Sequence, residues 1–370
     1  MKLNFGILFA ATALAFASVA CSAAATDPTS QDGESDDALK SKLAPQKIKR
    51  VDLVSDRTGA ATRDTNLKNA WGLAFGATGA AWVSNAETST VTVYSTEGKL
   101  MLTTNIPGGQ APTGQLFNAD ANDFGGDKFI AVTEEGGIFG WKSGTDFAMR
   151  HDSSDENANY KGGALVAHRL YLADFRNAKI HVYDASYDDA TTAGDFSDPT
   201  MPAGFAPFNV WNYDEYLFVS YAKQDDKGDD DVAGVGNGFV NVFDQEGRFV
   251  QRLVSGGPLN SPWGMAVAES PFGALAKDTL LVGNFGDGKV NAYQLADAAH
   301  GFTIKALGAL KNESGKQLKV PGLWGLVFQN DALYFTAGPN GEKNGLFGRL
   351  DAVASSTTGG SSGGSYGYGY

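Results

Sequence analysis

Residues 69–76 read NAWGLAFG, and near-copies stand at 261–268 (SPWGMAVA) and 322–329 (GLWGLVFQ). A Trp-Gly pair leading an apolar run marks a unit repeated along the chain. Outward from each copy comes a second apolar stretch (AAWVSN, TLLVGNF, ALYFTAG), then a third with a large residue near its end: VTVYS at 91, KVNAYQ at 289, LFGRLD at 346. The same succession, without Trp-Gly, leads to GIFGWK at 137, KIHVYD at 179 and FVNVFD at 239. The markers Tyr94, Trp141, Tyr183, Phe243, Tyr293 and Leu350 lie 47, 42, 60, 50 and 57 residues apart. Units of this size, three or four short strands each, bury both faces only against neighbours, and radial stacking achieves this. The expected fold is all-β: a six-bladed β-propeller over 48–354. Its last unit is short of an outer strand, and RVDLVSD at 50–56 is an orphan strand. Pairing the two would close the ring by an N-terminal strand and hide a sheet edge.

Each Trp-Gly pair then opens an innermost strand. Glycine lets neighbouring backbones approach, and the aromatic is expected to fill the wedge between blades. Just upstream, Asn69, Asn118, Asn209, Asn260 and Ser261 occupy comparable positions, which would ring the channel mouth. Neutral amides there suit sugar hydroxyls or part of a cation's oxygen shell.

The composition supports a large β domain, with 47 Gly, 23 Phe and 42% hydrophobic residues. A net charge of −13 leaves no basic face for nucleic acid. At the N-terminus, Lys2 and an apolar run to Ala20 read as an export signal. The single cysteine, Cys21, follows SVA and resembles a bacterial lipobox over 1–21, although Ser18 stands where Leu is usual. The alternative is plain cleavage after Ala23–Ala25. Residues 22–47 read as a disordered polar tether and 355–370 as a flexible Gly/Ser/Tyr tail. The tail's Tyr-Gly alternation could also dock to cell-envelope material. The expected location is the cell envelope or the exterior, with membrane contact only through the lipid, and the chain is expected to be a monomer.

The usual parts of hydrolytic and zinc chemistry are missing: GxSxG, HExxH, paired cysteines and a phosphate loop do not occur. His151, His168, His181 and His300 show no metal spacing. The irregular feature is the insertion YAKQDDKGDDDVAGVGNGFV (221–240), between the second and third strands of blade four. Its aspartates, Asp225, Asp226, Asp229, Asp230 and Asp231, are hard donors on a Gly-bearing loop, and Ca²⁺ is the candidate ion. Against this, charge runs usually form solvated loops. Lys223 and Gln224 could reach the same mouth. Asp174, Asn85, Asn284 and Glu134 fall where strand two turns into strand three and read mainly as turn-makers.

The run from YAKQDDKGDDDVAGVGNGFVNVFDQEGR through LVSGGPLNSPWGMAVAESPFGALAKDTLLVGNFGDGKVNAY resembles a family of exported, uncharacterised propeller proteins, and the terminal GLWGLVFQNDALYFTAGPNGEKNGLFG matches too. The similarity covers 50–353, with Ala70 where the family usually has Pro, and is distantly NHL-like. It implies the fold and export, without an activity. Lactonase-type propellers hold an axial divalent ion through Glu, Asn and Asp. Glu134, Asn209 and Asn284 could be cast in those roles, but the local motifs differ and no residue is carried over. The leading expectation is a protein that binds a small molecule, carbohydrate or protein partner at the channel mouth. The alternative is a divalent-metal-dependent hydrolase, lactonase or lyase acting there.

Overall fold

A computed structural model of the chain describes residues 47–353. Six sheets follow one another, each built on an antiparallel meander; the last also takes in Thr62–Arg63 and Lys311–Asn312, which pair parallel with Lys47–Ser55. Blade 1 comprises Ala70–Phe75, Ala81–Asn85, Thr90–Tyr94 and Leu100–Asn105, and blade 2 Pro112–Phe117, Phe129–Thr133, Gly137–Trp141 and Ala148–Asp152. Blade 3 has three strands, Tyr160–Val166, Arg169–Asp174 and Lys179–Tyr183. Blade 4 comprises Phe205–Tyr213, Tyr216–Lys223, Gly238–Asp244 and Phe249–Ser255, and blade 5 Pro262–Ala268, Thr279–Asn284, Val290–Asp297 and Phe302–Ala309. Blade 6 comprises Leu323–Gln329, Ala332–Ala337 and Leu346–Ala352, and Lys47–Ser55 pairs antiparallel with the last of these, Ile48 opposite Ala352 and Ser55 opposite Leu346. The N-terminal strand is thus a member of the same sheet as the last blade.

The inner strands stand side by side, and glycine makes that spacing possible. A β-carbon on Gly72 would overlap the carbonyl oxygen of Thr113 in blade 2, and one on Gly264 the carbonyl oxygen of Trp324 in blade 6. Between blades, alternate side chains form apolar wedges. Phe218, Val242 and Leu253 of blade 4, for example, pack with Met265, Leu280 and Tyr293 of blade 5.

Blade 3 departs from the others. In place of an outer strand, residues 184–204 run irregularly, held by the Ala190 N–H to the Val182 carbonyl and by Tyr187 and Phe196, which are buried. Tyr187 reaches back to blade 2, where its hydroxyl and the Arg150 guanidinium both donate to the buried Asp127 carboxylate. Cys21 and the 1–21 and 355–370 segments lie outside the described residues, as does all of 22–47 except Lys47.

Candidate functional site at the channel mouth

In this meander the inner strands all begin on one face, where the loops between second and third strands also emerge; that face is the mouth. The three tryptophans of the repeated motif meet there. Trp324 lies between Trp71 (ring centroids 3.7 Å apart, planes at 13°) and Phe285 (3.8 Å, 13°), with Trp263 edge-on to both tryptophans. The expected wedges between blades are thus one shared axial layer, because inner strands separated only by glycine bring their large neighbours together at the axis.

The positions upstream of these tryptophans have a backbone role. Asn69, Ser261 and Gly322, each two residues before its Trp, all have positive φ (44°, 48° and 70°). The left-handed turn tolerates Gly and Asn and strains Ser. The Asn69 side chain adds to this: its Oδ1 accepts from Trp324 Nε1 at 3.0 Å, and its Nδ2 donates to Glu342 Oε2 at 2.9 Å. Trp263 Nε1 donates to the Lys161 carbonyl at 3.0 Å. Trp71 Nε1, in a residue 3% exposed, has no hydrogen-bond partner.

Over the Trp71 ring lies the Lys161 ammonium, 5.4 Å from its centroid and 5.9 Å from that of Phe175. Lys161 is the second residue of the blade 3 inner strand and is 1% exposed. A buried ammonium needs paired charge. Lys161 donates to Glu134 Oε1, just past the second strand of blade 2, and stands 3.6 Å from Asp230 Oδ1 in the blade 4 insertion. From blade 6 comes Glu342, whose carboxyl group burial pushes up to about 7 against the bond from Asn69. Asp231, beside the same group, is also raised by burial, and its Oδ2 is unpartnered. Glu134 and Asp230, from blades 2 and 4, therefore flank one ammonium, and Asp231 and Glu342 lie near enough to feel its charge.

The five aspartates of the insertion do not act together. Asp225 Oδ1 accepts the backbone N–H groups of Lys227 and Asp229, ordering the loop. Asp226 is exposed, Asp229 pairs with Arg176, Asp230 faces Lys161 and Asp231 is half-buried. Lys223 is exposed, and Gln224 donates to the Phe175 carbonyl at 2.7 Å, tying the insertion to blade 3.

The proposed amide ring is split by the fold. Asn69 and Asn260 are at the mouth, where Asn260 Oδ1 accepts the Gly234 N–H at 2.7 Å. Asn118 follows its inner strand and so sits on the far face, its Nδ2 donating to the Asp120 and Asp127 carbonyls. Asn209 is at mid-strand, donating to the Trp263 carbonyl and lining an axial cavity of about 220 Å³ beyond the aromatic layer. Of the turn-makers, Asn85, Asn284 and Asp174 do bond within their own turns. Glu134 does not; it turns inward to Lys161.

On the far face, Asp120, Asp123 and His168 hold their ligand atoms within 4.8 Å of one another, with His168 Nδ1 2.6 Å from Asp123 Oδ2. This is the set of metal-type donors that the fold gathers among the described residues, and the mouth carboxylates form no such set. Residues distant in sequence created it.

Lys161 and Glu342 were not among the candidates read from sequence. A signal existed for the first: YKGGALV places a lysine inside an innermost strand, where solvent is scarce. Glu342, in the loop PNGEKNG, gave none.

No family model matches the chain. The uncharacterized protein R648 of Acanthamoeba polyphaga mimivirus is 32% identical over 325 residues, covering 80% of this chain and 78% of the relative. A second uncharacterized protein of that virus, L690, is 29% identical over 324 residues, covering 80% and 84%. Among solved structures, a protein of unknown function from Bacteroides thetaiotaomicron superposes with TM-score 0.55 at 11% identity, over 83% of this chain and 76% of that one. A streptogramin B lyase gives 0.52 at 10% (83% and 98%), and the soluble aldose sugar dehydrogenase of Escherichia coli 0.53 at 12% (83% and 100%). At these identities the likeness is one of fold.

Proposed function

The chain belongs to the family of the mimivirus protein R648, and we propose that it is a binding protein whose ligand enters the channel mouth above Lys161. The observation that carries this reading is the Lys161 ammonium, 1% exposed, among carboxyl groups contributed by blades 2, 4 and 6. Structural stability alone does not call for such an arrangement, since a buried ion pair is commonly no better than apolar packing of the same volume. Perturbed charged groups gathered in one place are a feature of ligand sites. The test is a thermal-shift and tryptophan-fluorescence screen with small amines, sugars and carboxylates, run on the full chain and on Lys161→Met. A compound class that acts on the first and not the second supports the reading. Identical responses of the two proteins to every class would remove it.

A second reading, hydrolase, lactonase or lyase chemistry at the same mouth, is favoured by Glu342. A carboxyl group raised to about 7 exchanges protons near neutral pH, as a general acid or base must. The divalent-metal form of that reading would need the mouth carboxylates to draw together around the ion. The activities of the lyase and the dehydrogenase remain theirs.

Export with a lipid on Cys21 is part of the same proposal and rests on the sequence of residues 1–21. Cys21→Ala should move the protein from the membrane to the soluble fraction; continued membrane partitioning would reject the anchor.

A further inference from the structure

We infer that the ligand of the mouth is a hydroxylated amine, of the amino-sugar kind. This rests on the mouth being the binding site and adds the chemistry of its occupant. The first observation is charge. Glu134 and Asp230 flank the Lys161 ammonium, Asp231 and Glu342 stand near it, and Arg176 is engaged by Asp229. An anionic ligand meets a net negative well, whereas a cationic one restores neutrality.

The second observation is independent of the acidic residues. Trp71 is buried, its ring lies under the ammonium, and its Nε1–H is unpartnered, while Trp324 and Trp263 both donate theirs. A sealed, unpaired donor is left without the bond it would make in water. It calls for an acceptor such as a hydroxyl or ether oxygen, which a simple alkylamine lacks.

The third is spacing. The mouth carboxylates are not collected within 4.8 Å as a donor set, as Asp120, Asp123 and His168 are. A bare ion would leave most of them unengaged, but an organic cation carrying several N–H and O–H groups spans them. The aromatic faces of Trp71 and Phe175 already accommodate an ammonium, that of Lys161. In the bound state the ligand's ammonium takes that place beside Glu134, Lys161 turns outward to Asp230, and a ligand oxygen accepts from Trp71 Nε1.

The experiment is isothermal titration calorimetry of the full chain with glucosamine, glucose, putrescine and gluconate. Glucosamine should bind at least tenfold more tightly than glucose or gluconate. Asp230→Asn, a change at an exposed side chain, should weaken it severalfold. Trp71→Phe keeps a ring and removes the N–H, so it should weaken glucosamine and leave putrescine unchanged. Equal binding of glucose and glucosamine, or preference for gluconate, overturns the amine assignment while leaving the mouth as the site. Glucosamine binding that neither substitution alters overturns the assignment and moves the site elsewhere. Failure of glucosamine and putrescine to bind at millimolar concentration also overturns it, and the broader screen on Lys161→Met then judges the mouth separately.

Discussion

Asn69 is held between Trp324 and Glu342: its carbonyl oxygen takes the indole N–H of one, and its amide N–H goes to the carboxylate of the other. One residue, with φ of 44°, therefore joins the left-handed turn before a blade, the axial aromatic layer and the ionisable rim. The backbone and side-chain roles can be separated. Asn69→Gly keeps the turn and loses both hydrogen bonds, so it should destabilise by about 1–3 kcal/mol. Ser261→Gly, at the matching turn of blade 5, relieves strain in a residue whose hydroxyl has no hydrogen-bond partner. It should be neutral or stabilising by up to about 1 kcal/mol. Urea denaturation of the two variants decides; equal losses would mean that the turn conformation is not what these positions share.

Glu342 gives the mouth a pH signature. Burial raises its carboxyl group from 4.5 to about 7, so the folded chain holds a proton there that the unfolded chain releases. The contribution is fully present below about 4.5 and is lost as pH rises through about 7. Glu342→Gln retains an acceptor for Asn69 and cannot ionise. Its stability relative to the parent should therefore climb between pH 5 and 8, by an amount on the order of 1–3 kcal/mol. Denaturation midpoints across that range check this, and a difference independent of pH would show that the side chain is not proton-linked to folding.

Lys161 and Glu134 form the ion pair at the bottom of the mouth. Lys161→Met leaves Glu134 and Asp231 without their counter-charge, and at neutral pH the loss should be about 2–4 kcal/mol, below the full range for a buried pair because Glu134 is 30% exposed. Adding Glu134→Gln should restore part of the loss. A double-mutant cycle with no coupling would rule out the pair as an energetic unit.

The blades and the site differ in how far the sequence revealed them. A strand repeats its inward residues every second position, and a blade repeats its strands, so Tyr94, Phe243 and Tyr293 could be aligned by eye. The mouth has no such period. Lys161 and Glu134 are 27 residues apart, and Asn69 and Glu342 are 273 apart. Only the radial stacking of blades brings them together. The Asn positions answer different needs: a left-handed turn selects Asn at 69, Asn209 is a mid-strand donor to Trp263, and Asn118 organises a loop on the far face. The cluster of five aspartates was visible because it is local, yet in the folded chain Asp225 turns to its own backbone, Asp229 to Arg176 and Asp230 to Lys161.

Gly72, the glycine of the first Trp-Gly pair, tests the view that the motif is architectural. It lies where the inner strands of blades 1 and 2 approach, and an added methyl would overlap the Thr113 carbonyl oxygen and the Gln115 N–H. The backbone of blade 2 cannot yield as a flexible side chain would, because Thr113 Oγ1 is itself bonded to the Val132 and Tyr160 carbonyls, in blades 2 and 3. Gly72→Ala should therefore cost at least the usual overpacking penalty of about 1–3 kcal/mol. It should also separate Trp71 from the axial layer and so red-shift the tryptophan emission. Gly59→Ala, at a positive-φ turn with open space around it, is the control: it pays only backbone strain and should leave the emission unchanged. If Gly72→Ala matched that control in both stability and emission, the Trp-Gly repeat would have to be explained by something other than the crowding of strands around the axis.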